Sequence, residues 1–264
     1  MSEATPSYPN VSVSLGDDGT CEVVINRPDR LNALSVGVKD ELVAALSYAD
    51  RTDSVKSVVL TGAGERAFAA GQDLSEAQEF SPEAIDGWID SFHRLYSAVL
   101  DCSKPTVAAV NGYAVGAGFQ LALLCDLRIA SSGAKFGMAE IDDAIPCITG
   151  TWTLYDSIGH SRTADLILTG RMLPAEEAKS WGLVSEVVAP EDLMTKGRAL
   201  AVLLGAKPAV AVRLNKNRLA WLLSRERESA ESFARQAHAE AYGTGLPQAK
   251  MADFLARRRE GRSE

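Results

Sequence analysis

Apolar positions in the first half of the chain change period repeatedly. Val11 to Leu15 alternates with serine, and Cys21 to Ile25 is a short run rich in β-branched residues, closed by the turn cluster Asn26-Arg27-Pro28-Asp29. Both patterns predict strands. Ser35 offers an N-cap to a helix whose apolar positions are Val38, Leu42, Ala45, Leu46 and Ala49. Val58-Val59-Leu60 reads as a buried strand that runs into a loop from Thr61 to Ser75 carrying Gly62, Gly64 and Gly71. Ser81-Pro82-Glu83 combines a cap, a proline suited to the first helical position and an early acid. Behind it Ile85, Trp88, Ile89, Phe92, Leu95, Tyr96 and Val99 keep the helical period. Pro105 to Val110 and Leu127 to Ala130 predict two more strands. Phe119 to Leu124 between them is apolar on every face except Gln120, the pattern of a helix buried in the fold. After about Gly150 the chain reads as mostly helical, with a run from Leu193 to Ala206, a helix from Pro208, another from Glu226 to Tyr242 and a last one from Met251 to Arg259. This order predicts an α/β core followed by a helical C-terminal region.

Composition narrows the class without changing that picture. With 264 residues, 46% hydrophobic and 23% charged, the chain can bury a core without cross-links. Acidic residues outnumber basic ones by 35 to 27, a net charge of −8, which disfavours nucleic acid as a partner because phosphate contacts demand a basic face. Cys21, Cys102, Cys125 and Cys147 are scattered without metal-ligand spacing, so they read as reduced packing residues, and no metal is expected. His93, His160 and His238 have no spacing for a metal or a triad and read as structural. No apolar run of about 18 residues is present, and the first residues do not resemble a signal peptide. A soluble cytoplasmic protein with no membrane partner is the expectation.

Three features carry candidate chemistry. Gly62-Ala63-Gly64-Glu65-Arg66-Ala67 follows a strand and fits the letter of a dinucleotide fingerprint, but Gly71 and the polar Gln72-Asp73 stand where the required helix would continue. Phe68-Ala69-Ala70-Gly71-Gln72-Asp73-Leu74 and Gly112-Tyr113-Ala114-Val115-Gly116-Ala117-Gly118 are small-residue loops after apolar strands. Such loops either allow close packing of strand and helix or present two backbone N–H groups to one oxygen that becomes negative during reaction. The third is the acid cluster around Glu140, Asp142 and Asp143. A carboxyl among apolar neighbours has a raised pKa suited to proton transfer, although most carboxylates are simply solvated. Phe92, Trp152, Leu154 and Tyr155 read either as core or as the lining of a substrate pocket.

These segments, taken with Ile25-Asn26-Arg27-Pro28-Asp29-Arg30-Leu31-Asn32-Ala33-Leu34, resemble the crotonase (enoyl-CoA hydratase/isomerase) superfamily. Cys125-Asp126, Phe136-Gly137-Met138-Ala139-Glu140, Leu168-Thr169-Gly170-Arg171, Ala175-Glu176-Glu177-Ala178 and Trp181-Gly182-Leu183-Val184 continue the resemblance, which runs from about Val11 to Arg259. It implies an α/β fold made of a crotonase-like spiral of ββα units over residues 1–200, with a helical trimerisation region over 201–264. It further implies a homotrimer or dimer of trimers, and acyl-CoA thioester substrates; coenzyme A enters as part of the substrate, with no separate cofactor. On the same ground the backbone N–H groups of Gln72 and Ala117 form an oxyanion hole, and Ala70, Gly71 and Asp73 line the thioester loop. Arg30 and Leu31 hold part of the CoA nucleotide, and Phe254 and Arg257 meet its phosphate or adenine. Glu140 falls on the commonest acid/base position of the family. For Phe254 and Arg257 an apolar anchor and a cation near a helix C-terminus is an equally good reading.

One departure bears on the reaction. Hydratases of this family carry a second glutamate where this chain has Gln120. An amide can orient a water but neither takes nor gives a proton at useful pH. Hydration needs water deprotonated and the α carbon protonated, whereas moving a double bond from C3 to C2 needs one proton carrier. The lone Glu140 therefore favours isomerase chemistry over hydration. The position eight residues on, acidic in some dienoyl-CoA isomerases and CoA hydrolases of the family, is Ile148, which argues against both. The alternative is an acyl-CoA-binding homologue with little or no turnover.

Overall fold

The computed structural model describes residues 5–260. Strands β1 (Val11–Leu15) and β2 (Thr20–Ile25) pair as an antiparallel hairpin. Ser35 then caps α1 (Val36–Arg51), its side chain accepting from the Val38 N–H, and the face carrying Val38, Leu42, Ala45, Leu46 and Ala49 is buried as its period requires. The next part of the chain repeats one pattern: a long buried strand, a three-residue strand, then a helix. The first coil is β3 (Ser57–Gly62), β4 (Ala67–Ala69), a short α2 (Leu74–Ala77) and α3 (Ile85–Leu100). The second is β5 (Thr106–Val110), β6 (Tyr113–Val115) and α4 (Ala117–Leu124). The third is β7 (Leu127–Ser131), β8 (Lys135–Gly137) and α5 (Ile148–Thr169). β9 (Leu173–Pro174), α6 (Ala175–Ser180), β10 (Glu186–Val188), α7 (Leu193–Gly205), α8 (Ala209–Gly243) and α9 (Leu246–Glu260) follow.

The long strands gather in one sheet with the three-residue β10 at its edge, in the order β1-β2-β3-β5-β7-β10, parallel from β2 onward; the other short ones gather in a second, β4-β6-β8-β9. Each coil thus advances one place in both sheets, which is the spiral of ββα units implied by the resemblance. The first sheet is covered on both faces. Val59, Val107, Ala109 and Ile129 meet Leu193 and Ala201 of α7, while Val58, Leu60, Ala108 and Val110 point into the main core. Strands buried on both faces read as continuous apolar runs, which is why these stood out in the sequence.

Elsewhere the structure departs from the expectations. β4 lies inside the predicted loop Thr61–Ser75, and the chain after Gly64 enters that strand instead of opening a helix, so the dinucleotide reading fails. Ser81 makes no side-chain cap; Pro82–Ala84 forms a 3-10 turn and α3 begins behind it. The two helices expected from Pro208 and Glu226 are one continuous helix, α8, of 35 residues. It crosses α3, where Arg235 reaches Asp86 and Asp90, and it buries Lys216 against Asp126. Position 200 lies within α7, which packs on β3 and β5.

Candidate active site

β4, β6 and β8 run parallel, so their carboxyl ends lie on one edge of the second sheet, and each leads into a bend bordering one cavity of about 620 Å³. After β4, the Ala70 N–H donates to the Leu31 carbonyl (3.0 Å), the Leu34 N–H to the Gly71 carbonyl (2.8 Å) and the Asp73 N–H to the Leu34 carbonyl (3.3 Å). This parallel bridge uses the groups on either side of the Gln72 N–H and turns that N–H to the opposite side. Gly71 has φ +92°, and a Cβ there would stand 2.8 Å from the Val115 carbonyl oxygen and 3.6 Å from the Ala117 nitrogen. Only a residue without a side chain lets the first bend lie so close to the second.

After β6, Gly116 (φ +52°) donates to the Gly137 carbonyl, and Ala117 is the first residue of α4. Its N–H has no acceptor within the helix, and it lies at the positive end of the helix dipole. After β8, a 3-10 turn over Ala139–Asp143 presents Glu140. A Cβ on Gly116 would fall 3.2 Å from Glu140 Oε1, so this glycine leaves room for the carboxyl beside Ala117.

Glu140 sits at the end of a relay. The Tyr96 hydroxyl donates to Gln120 Oε1 (2.7 Å), which turns the Gln120 amide nitrogen to donate to Glu140 Oε1 (3.1 Å). Glu140 Oε2 is out of solvent and has no hydrogen-bond partner. Burial pushes the Glu140 carboxyl up to about 7, against the opposing pull of its own backbone N–H, the Cys147 thiol and the Gln120 amide. Asp142 and Asp143 also line the cavity, and burial and the Asp142 charge raise the Asp143 carboxyl.

The bend that carries Gln72 is tied down by residues the sequence reading did not single out for the site. Arg27 donates to the Ala33 carbonyl (2.8 Å) and to the Asp73 carboxylate (2.9 Å), whose other oxygen caps α2 at the Ser75 N–H. Asn32, at φ +55°, accepts from the Arg27 N–H and donates to the Ala63 and Ala67 carbonyls. Asp73 therefore borders the cavity with its carboxylate already engaged. Tyr96 was legible only as a core position of α3.

Every residue singled out for the site borders this same cavity: Gln72, Ala117, Gln120 and Glu140, with Ala70, Gly71, Asp73, Arg30, Leu31, Phe254 and Arg257. Arg30 and Arg257 stand on its exposed side, while Trp88, Ile89, Phe92 and Trp152 give it apolar walls. Leu154 is core and Tyr155 is half exposed; neither lines it. His93 pairs with Glu231 (2.9 Å), and His238 Nδ1–H donates to the Ala234 carbonyl (2.6 Å) while the ring packs edge-on against Trp88. Among the described residues no three of His, Cys, Asp and Glu come together as a metal site, and no helix is long and apolar enough to cross a membrane.

Two free-facing N–H groups beside a buried carboxyl raise the question of which known proteins share the arrangement. The family model for enoyl-CoA hydratase/isomerase matches residues 16–259. The chain belongs to that family. A probable enoyl-CoA hydratase of Rhizobium meliloti is 37% identical over 238 residues, 90% of this chain and 91% of the relative. A short-chain-enoyl-CoA hydratase of Clostridium acetobutylicum is 34% identical over 252 residues, 94% and 96% of the two chains. The crystal structure of an enoyl-CoA hydratase/isomerase from Xanthobacter autotrophicus Py2 superposes with a TM-score of 0.86 at 30% identity, covering 97% of this chain and 95% of the other. The chain is thus an acyl-CoA-processing enzyme of the enoyl-CoA hydratase/isomerase family, with the crotonase fold.

Proposed function

We propose that this enzyme migrates the double bond of an enoyl-CoA, with Glu140 as its single proton carrier. The thioester oxygen would accept from the Gln72 and Ala117 N–H groups. Glu140 Oε2 removes a proton from C2 of a 3-enoyl-CoA, the charge spreads over the dienolate and its oxygen, and the same proton returns at C4 to leave a 2-enoyl-CoA. Each oxyanion donor typically contributes about 3–4 kcal/mol to such a transition state. The observation that carries this reading is the relay Tyr96–Gln120–Glu140: the position of a second acid is filled by an amide whose oxygen and nitrogen are both engaged. Coenzyme A would lie along Arg30, Leu31, Phe254 and Arg257, entering only as part of the substrate. A homotrimer is the assembly we favour, supported by the apolar side chains Val210, Leu214, Leu219 and Leu222 exposed on α8.

Supplying crotonyl-CoA and a 3-enoyl-CoA in parallel tests the reaction. Conversion of the 3-enoyl-CoA to 2-enoyl-CoA, with little 3-hydroxyacyl product from crotonyl-CoA, is expected. Rapid hydration of crotonyl-CoA by the unaltered enzyme would overturn the isomerase reading, and tight binding without either product would leave a binding protein. Gln120→Glu should raise hydration, because it restores a second carboxyl at the reacting face.

A further inference from the structure

Helix α1 carries a lysine where its period calls for an apolar residue. Lys39 shares the buried face with Val38 and Leu42 and has no exposed surface. Its Nζ lies 3.9 Å from the centroid of the Phe92 ring and donates to the side-chain oxygen of Gln72 at 3.2 Å. That oxygen also accepts from Trp88 Nε1 at 2.9 Å. The amide nitrogen of Gln72 in turn donates to the Asp73 carbonyl (3.2 Å) and the Glu76 carboxylate (3.4 Å). Side chains from α1, α2 and α3 thus converge on the one residue whose backbone N–H faces away from the Leu34 bridge.

We propose that Lys39, together with Trp88, is a positioning residue for the oxyanion bend: the two donors fix the Gln72 side chain and so hold its backbone N–H on the thioester oxygen. The inference rests on the function proposed above. Burying a cation is costly, and a hydrophobic residue of similar length would fill the same space without that cost. Burial pulls the Lys39 ammonium down to about 7; Glu76 on α2 and Asp40 on α1 favour its charged form and Arg94 on α3 opposes it. A lysine that served packing alone would be improved upon by methionine, whereas a positioning lysine would not.

Lys39→Met, Gln72→Met and the double variant, each with 3-enoyl-CoA turnover, thermal unfolding and the ultraviolet absorbance of bound acetoacetyl-CoA, provide the test. The enolate of acetoacetyl-CoA absorbs where its keto form does not, so the absorbance reads how well the bend holds a negative oxygen even if turnover is absent. Lys39→Met should melt no lower than the unaltered enzyme yet lose on the order of 10- to 100-fold in kcat, with KM within about twofold and a smaller enolate fraction. Trp88→Phe should shift the same readouts in the same direction. Because Lys39 acts through the Gln72 side chain, the double variant should be no worse than Gln72→Met alone. Wild-type kcat and enolate fraction in Lys39→Met would overturn the proposal, as would a rate loss that tracks a lower melting temperature and adds in the double variant. If the unaltered enzyme binds acetoacetyl-CoA without enolising it, both this proposal and the oxyanion hole fall; if it enolises the ligand and Lys39→Met does so equally, only the role of Lys39 falls.

Discussion

Glu140 is held in conflict with its own ionisation. The native carboxyl titrates near 7 against an ordinary value of 4.5, so between those values the folded chain binds more protons than the unfolded one, and stability falls as pH rises through that window. The penalty is complete above about pH 7. Glu140→Gln removes the charge at every pH, so the stability of the variant relative to the unaltered protein should be about 3 kcal/mol more favourable at pH 8 than at pH 4.5, whatever constant cost its unpartnered amide donor adds. Denaturant unfolding at the two pH values measures this. The same variant should lose at least about 10²-fold in turnover while keeping its affinity for a CoA ester, since the proposed role of the residue lies in the transition state. For the unaltered enzyme, kcat/KM should climb about tenfold per pH unit below 7 and level off above it, because the base must be ionised to take the C2 proton. A pH profile flat from 5 to 8 would exclude Glu140 as that base.

At the scale of elements, the site depends on bends rather than on the elements they join. Gly71→Ala places a Cβ at positive φ and 2.8 Å from the Val115 carbonyl, so the two bends must separate. A stability loss of about 1–3 kcal/mol and a loss of most activity are expected, read by thermal unfolding and by turnover. The bends were visible in the sequence as glycines flanked by alanines, and the long strands as apolar runs such as Val107 to Val110. The second sheet was not, because strands of three residues such as Ala67–Ala69 carry too few positions to show a period. Lys39 escaped notice for a different reason: its place on the buried face of α1 follows from the period, but a charged residue is ordinarily assigned to water. The continuity of α8 was hidden by the change from the more apolar stretch after Pro208 to the charged stretch that opens at Glu226, which reads as the start of a second helix until α3 is seen to supply partners such as His93 to Glu231.

For the whole molecule, the described C-terminal helices bring Phe254 and Arg257 to a cavity built from the spiral more than a hundred residues earlier in the chain. Arg257→Ala should raise KM for an acyl-CoA several-fold and leave kcat unchanged, the signature of a contact equally strong in ground and transition states; steady-state kinetics decides it. On α8, Val210 and Leu214 are exposed one helical turn apart. If the chain forms the homotrimer proposed above, replacing both with glutamate should reduce the sedimenting species from three chains to one. Within the spiral, the ends of β4, β6 and β8 supply Gln72, Ala117 and Glu140 in turn, one from each coil. Under the function proposed above, grip and proton delivery are encoded in separate stretches of chain, so the third tip can be rewritten without loosening the first two. Exchanging only the residues just beyond Gly137 would be a direct route to a catalyst that seizes the same thioester and rearranges a different bond.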